Sequence, residues 1–318
     1  MKLCFLDAKT LGPDVDIAPL RSLGELQVYE TTAPEQVAER LRDAEVAIVN
    51  KTVLTAEIMA AAPALRMVAL CSTGVNVVDL DYCRAKGIAV ANVAGYSTQM
   101  VAQHTFAMLF YLMERLAVYD RYVKSGAYVT SDIFTYFGPP IRELSGRRWG
   151  VIGLGAIGGT VARIAEAFGA KVAYFSASGK NQSAAYPRVS LEELLAGSDV
   201  VSIHTALTPV TRGLIGAGEL ARMKPSAYLL NLGRGGIVDE AALAAALDGC
   251  RLAGAGLDVL ETEPIKADNP LLRIKEPERL LITPHIAWAS VEARSRLIDE
   301  VSANIAAFQA GERRGRVD

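Results

Sequence analysis

Short apolar runs recur along the chain, separated by segments whose apolar positions repeat at helical spacing. In the first hundred residues such runs occupy positions 3–6, 46–49, 67–70 and 89–92, and bounded runs of that length predict strands of a parallel sheet. Between them, 34–41 and 55–61 predict helices, the second with Thr55 as its N-cap. From Thr98 to about Ser125 the pattern predicts one long helix, apolar nearly all round at its start and therefore buried. Residues 126–148 contain Gly138-Pro139-Pro140 and show no period, which predicts an irregular connection. Strand-like runs return at 171–175, 200–204, 228–232, 254–259 and 280–283, the pattern of a doubly wound sheet. A last helix is predicted over 291–310. Because it follows the final strand, it is expected to fold back onto the first domain.

A chain of 318 residues exceeds what one core usually holds, so two domains are expected. With 51% hydrophobic residues, 21% charged and a net charge of −2, nothing suggests a nucleic-acid or membrane partner. Cys4, Cys71, Cys83 and Cys250 show no metal-ligand spacing. They are expected to be buried reduced thiols, with no metal site. Met1-Lys2 leads into a short strand-like run rather than the longer apolar region of a signal peptide, so a cytoplasmic location is expected.

The stretch Trp149-Gly150-Val151-Ile152-Gly153-Leu154-Gly155-Ala156-Ile157-Gly158 carries the most chemical information. It reads as a buried strand entering a glycine turn and a helix. Gly153 tolerates unusual dihedrals, Gly155 lets a pyrophosphate approach the backbone, and Gly158 permits close helix packing. Free N–H groups from Ala156 onward then face the anion, so a dinucleotide site is expected here.

In an open α/β sheet, ligands lie beyond the carboxyl ends of the strands. Three later strand ends carry Gly233-Arg234-Gly235-Gly236, Leu260-Glu261-Thr262-Glu263-Pro264 and Pro284-His285. The arginine fork suits a carboxylate, and a histidine fixed by an acidic neighbour suits proton transfer near neutral pH. Arg234, His285 and its partner Glu263 are therefore the candidate catalytic set. His104 lies in an apolar helix and reads as structural, whereas His204 is the alternative proton donor. The glycines around Arg234 suggest a backbone that must approach something closely.

With Asn231-Leu232-Gly233-Arg234-Gly235-Gly236-Ile237-Val238-Asp239, Leu257-Asp258-Val259-Leu260-Glu261-Thr262-Glu263-Pro264 and Thr283-Pro284-His285-Ile286, the chain resembles the D-isomer-specific 2-hydroxyacid dehydrogenases over nearly its whole length. The resemblance implies a two-domain α/β fold: a Rossmann doubly wound parallel sheet over 98–287, and a smaller flavodoxin-like substrate domain from 1–97 and 288–318. It implies NAD(P)-dependent interconversion of a small 2-keto acid and a D-2-hydroxy acid, with Arg234, Glu263 and His285 catalytic. Asp258, Leu232, Gly233 and Thr205 are then placed near the cofactor. Asn50, Lys51, Thr73, Gly74 and Val75, with Arg234 and His285, are placed at the substrate, and a homodimer built through the nucleotide domains is implied, with 126–148 as a contact. Val101-Ala102-Gln103-His104-Thr105 and His285-Ile286-Ala287-Trp288-Ala289 are similar to the glycerate dehydrogenase and hydroxypyruvate reductase branch. A nucleotide-sensing corepressor and a 3-phosphoglycerate dehydrogenase are the alternatives on the same fold.

Two positions depart from that family's pattern. Ala206 replaces a common proline after His204-Thr205. Ser176, 18 residues beyond Gly158, stands where an aspartate normally receives the NAD ribose and repels a 2′-phosphate. Ser178 and Lys180 could serve such a phosphate, although the segment holds no arginine. The balance tips slightly to NADP over NAD, without abolishing NAD binding.

Overall fold

The smaller sheet is assembled from β1 (Lys2–Phe5), β2 (Glu25–Val28), β3 (Val46–Val49), β4 (Met67–Leu70) and β5 (Ala89–Ala91), of which the inner strands β3 and β4 are apolar on both faces. β3, β4 and β5 are buried at every residue, whereas β2 alternates between exposed and half-buried. All pair in parallel in the order β2-β1-β3-β4-β5. The computed structural model describes every residue except Asn181 and divides the chain into two units, Met1–Ser97 with Trp288–Asp318, and Thr98–Ala287.

The helix Val291–Gln309 belongs to the smaller unit, where Leu297, Ile298, Val301 and Ile305 enter one core with Leu3, Phe5, Met67 and Ala69. Asn304 donates to the Asn92 carbonyl at 3.1 Å, and the Val317 N–H donates to the Val90 carbonyl at 2.9 Å. Apolar burial and these tethers therefore return the end of the chain to its first sheet.

The larger unit contains β6 (Arg148–Ile152), β7 (Lys171–Phe175), β8 (Val200–Ile203), β9 (Tyr228–Asn231), β10 (Gly254–Leu257) and β11 (Leu280–Ile282), all parallel in the order β11-β10-β9-β8-β6-β7. Beyond β7 the next strand is reduced to one parallel bridge between Tyr174 and Arg188. Both units are thus α/β with doubly wound parallel sheets, the smaller in flavodoxin-like order. Trp149, fully buried on β6, donates its indole N–H to the Ser202 hydroxyl at 2.8 Å and packs against Phe106, with ring centroids 4.9 Å apart.

Three expectations need correction. β2 had no strand signal because its edge position leaves Glu25 and Gln27 exposed, so its sequence carries no apolar run. The long helix from Thr98 is two, Thr98–Met113 and Leu116–Lys124, separated at Arg115, whose φ is +55°. The first buries eight residues and the second none, so the break falls where the apolar surface ends. Finally, Cys4, Cys71 and Cys83 are buried free thiols, but Cys250 is exposed beyond the helix Glu240–Asp248. No helix among the described residues is long and apolar enough to cross a membrane.

Candidate active site

The glycine turn after β6 is dictated by contact as much as by dihedral. Gly153 has φ +93°, and a Cβ there would lie 2.9 Å from the His204 carbonyl oxygen. At Gly158 a Cβ would meet the Gly153 oxygen at 2.1 Å, so the helix Ala156–Ala167 can approach only through glycine. Gly155, its N-cap, is different: a Cβ there would meet nothing within 4 Å. The N–H groups of Ala156, Ile157 and Gly158 therefore begin a helix beside open space, which suits a pyrophosphate.

Thr205, just beyond β8, touches both neighbouring strand ends. Its side chain stands 3.0 Å from a Cβ on Gly153, and its carbonyl 2.8 Å from one on Gly233. Leu232, which precedes Gly233, is buried. Past β9, Asn231 turns back to accept the Gly233 N–H at 3.1 Å and to donate to the Arg234 carbonyl at 2.9 Å. A Cβ on Gly235 would lie 1.8 Å from the Leu260 oxygen. Gly233 and Gly235 thus approach the protein's own backbone, and the second contact presses the Arg234 turn against the segment leading to Glu263. Arg234 is exposed, its guanidinium donating to the Gly233 carbonyl at 2.9 Å.

His285 and Glu263 meet at 2.7 Å between Nδ1 and Oε2, while Glu263 Oε1 accepts the Leu260 N–H at 3.0 Å. The carboxylate accepts only, so Nδ1 carries the proton toward it and Nε2 is left for chemistry. His285 adopts φ +55°, fixed by its N–H donating to the carbonyls of Asp258 and Thr283, both at 2.9 Å.

Asp258 supports this turn with its side chain. Its Oδ1 accepts the Thr283 hydroxyl at 2.6 Å and the Ile286 N–H at 2.8 Å, and its Oδ2 accepts the Ala287 N–H at 3.0 Å. The Asp258 carboxylate thus lies beneath the histidine turn, 2% exposed. His104 Nε2 lies 3.1 Å from the Thr283 oxygen. Since that hydroxyl gives its proton to Asp258, His104 must donate to it, which assigns the Nε2–H tautomer. Burial lowers the His104 pKa, partly opposed by Asp258, and keeps the ring neutral at pH 7. His204 is poorly suited to donate a proton: both ring nitrogens are buried with no hydrogen-bond partner among the described residues, and burial pushes its pKa down to about 3.

Ser176 is buried at the end of β7. The fold also supplies the arginine that the local segment lacks. Arg188, held beside Tyr174 by Tyr174 N–H to Pro187 and Val189 N–H to Tyr174, both 3.0 Å, donates to the Gly179 carbonyl at 3.3 Å. Its bridge to β7 was the signal missed, a single pairing without an apolar run.

In the smaller unit, Asn50, Lys51 and the 72–76 loop follow β3 and β4. Asn50 is buried and donates its amide to Thr10 at 3.0 Å, whereas Lys51 is exposed. The loop is braced by the Thr73 hydroxyl donating to Val93 at 2.8 Å and by Asn92 donating to the Thr73 carbonyl at 2.7 Å. Among the described residues, the N–H groups of Thr73, Gly74 and Val75 have no acceptor, an arrangement suited to an anion. No cluster of ligands for a metal ion occurs among the described residues.

Residues 106–287 match the family described as D-isomer specific 2-hydroxyacid dehydrogenase, NAD binding domain. The chain is 40% identical over 98% of its length to a glycerate dehydrogenase of Methylorubrum extorquens, covering 96% of that protein. It is 39% identical to a hydroxypyruvate reductase of Blautia hydrogenotrophica, with 98% of each covered. An NADPH-dependent glyoxylate/hydroxypyruvate reductase from Sinorhizobium meliloti, solved with NADP and malonate, superposes with a TM-score of 0.85 at 30% identity, over 99% of this chain and 96% of that one.

Replacing Thr283 by Val would leave the half-buried His104 N–H without its acceptor. A loss of about 1–3 kcal/mol in unfolding free energy is expected, measured by urea denaturation followed through tryptophan fluorescence; an unchanged midpoint would show that the hydroxyl contributes nothing.

Proposed function

Because the chain belongs to the D-isomer-specific 2-hydroxyacid dehydrogenases, we propose that it reduces small 2-keto acids of the hydroxypyruvate and glyoxylate kind to D-2-hydroxy acids, with NADPH preferred to NADH. The family makes it an NAD(P)-dependent oxidoreductase acting between keto and hydroxy acids. The His285–Glu263 pair at 2.7 Å carries the proton-transfer part of the reading, and the Methylorubrum and Blautia relatives support the substrate class.

Gly153, Gly155, Gly158 and the first N–H groups of the following helix hold the cofactor's pyrophosphate, and Thr205, Leu232 and Gly233 line the same sheet edge. When bound, the reduced nicotinamide supplies the hydride accepted at C2 of the keto acid. Arg234 orients the substrate and stabilises negative charge on its keto oxygen. His285 gives that oxygen the proton from Nε2, while Glu263 holds the ring through Nδ1 and offsets its charge. Asp258 acts by fixing the backbone that carries His285. In the smaller unit, Lys51 and the N–H groups of Thr73, Gly74 and Val75 serve the substrate carboxylate.

The preference for NADPH rests on the absence of a carboxylate at Ser176 and on the nearness of Arg188 to the 176–180 loop. An arginine can grip a phosphate in bidentate fashion, and Ser178 and Lys180 add donors. A second copy of the chain is the partner. Val129, Phe134 and Phe137 are 85%, 91% and 87% exposed, a concentration of apolar surface that monomeric proteins rarely present to water. The unbridged thiols support a reducing compartment, the cytoplasm.

With glyoxylate and hydroxypyruvate assayed by NADPH absorbance, His285→Ala is expected to lower kcat by about 10²–10⁴-fold and to leave NADPH affinity unmoved; undiminished turnover would refute the assignment. Arg188→Ala should weaken NADPH binding about tenfold or more, the worth of one charge-assisted contact, without changing NADH binding in fluorescence titration; equal losses for both would exclude a 2′-phosphate role. Light scattering should find a dimer for the parent protein and monomer for Phe134→Asp with Phe137→Asp, and a monomeric parent would remove the dimer.

A further inference from the structure

Asp7 lies two residues beyond β1 and is 5% exposed. Its carboxylate collects donors from three consecutive residues beyond β3. Oδ1 accepts the Asn50 N–H at 3.0 Å; Oδ2 accepts the Lys51 N–H at 2.7 Å, the Thr52 N–H at 2.8 Å and the Thr52 hydroxyl at 3.0 Å. The same turn is tied a second time, by Asn50 donating to Thr10 at 3.0 Å and Thr10 donating to the Asp7 carbonyl at 2.7 Å. A buried carboxylate is costly unless its oxygens are filled, and these are filled by one short turn.

The location gives the clamp a functional meaning. In the order β2-β1-β3-β4-β5, the chain leaves β1 toward one side and returns to β3 on the other. The carboxyl ends of β1 and β3 therefore flank the switch point, where open α/β sheets bind their ligands. Asp7 joins the two rims of that crevice. Lys51, held through its backbone N–H, has an exposed side chain with no ion-pair partner among the described residues.

We propose that Asp7 is a positioning residue for the keto acid, fixing the Asn50-Lys51-Thr52 turn so that Lys51 is presented at the switch point of the smaller sheet. Its negative charge is partly screened by the four donors that surround it. The inference rests on the assignment of Lys51 to the substrate made above. A purely structural aspartate would stabilise the fold without selecting among kinetic constants, and that difference is measurable.

The test uses the full chain with NADPH and glyoxylate. Asp7→Asn substitutes an amide for an acceptor that faces N–H donors, and is expected to raise KM about tenfold or more, the scale of a displaced binding group, with kcat within about threefold and NADPH affinity unchanged. Thr52→Val, which removes one donor and keeps the backbone bonds, should raise KM about two- to threefold and carries the test if Asp7→Asn does not fold. Because Asp7 acts through the turn, Asp7→Asn with Lys51→Ala should scarcely exceed Lys51→Ala alone. Multiplicative effects, or a normal KM in Asp7→Asn and Thr52→Val beside a raised KM in Lys51→Ala, would overturn the role of Asp7 alone. An unchanged KM in Lys51→Ala would instead remove the substrate from this edge, and the proposal with it.

Discussion

The geometry of the histidine turn depends on a single buried carboxylate. Removing Asp258 from water costs several kcal/mol, and hydrogen bonds to a charged group return about 1.5–3 kcal/mol each. Thr283, Ile286 and Ala287 provide three such bonds, so the carboxylate is tolerable only where the turn after β11 closes over it. His285 stands at the middle of that turn in a backbone conformation unusual for a residue with a side chain. With the turn fixed from below by Asp258, Glu263 has only to hold the ring from the side.

Both units use this device at corresponding places. In a parallel sheet, the loops that leave adjacent strand ends carry N–H groups with no strand partner. Asp7 beyond β1 gathers those of the loop beyond β3, and Asp258 beyond β10 gathers those beyond β11. In each case an acid on one strand end orders the loop of its hydrogen-bonded neighbour. The acid's range is short and its demand for donors is high, so the loop has few alternative conformations.

Much of this was legible in the chain because it obeys one-dimensional rules. Buried parallel strands are apolar runs, and the turn after β6 announces itself through glycines whose replacement would collide with the Gly153 and His204 carbonyls. The carboxyl-edge rule then singled out Arg234, Glu263 and His285 for consideration. Interactions between distant segments left no such trace. Nothing near Asp7 marks it as the acceptor for residues 50–52, and nothing near Ser176 reveals that Arg188 returns to its loop. Asp258 was visible as an acid at a strand end, but its direction is set by Thr283 and the backbone of Ile286 and Ala287, which only the folded sheet brings under it. β2 escaped for the opposite reason: at an edge, half of a strand's side chains belong to water.

The strand outside β7 consists of one bridge, Tyr174 to Arg188, so the segment from Ser176 to Pro187 leaves the sheet and rejoins it almost without a ladder. It lies outside the edge strand β7, although Tyr186 within it and Val189 just after it still pack against the two cores of the larger unit. The NADPH preference proposed above would then be carried at the edge of the sheet, outside the buried strands β6, β8 and β9.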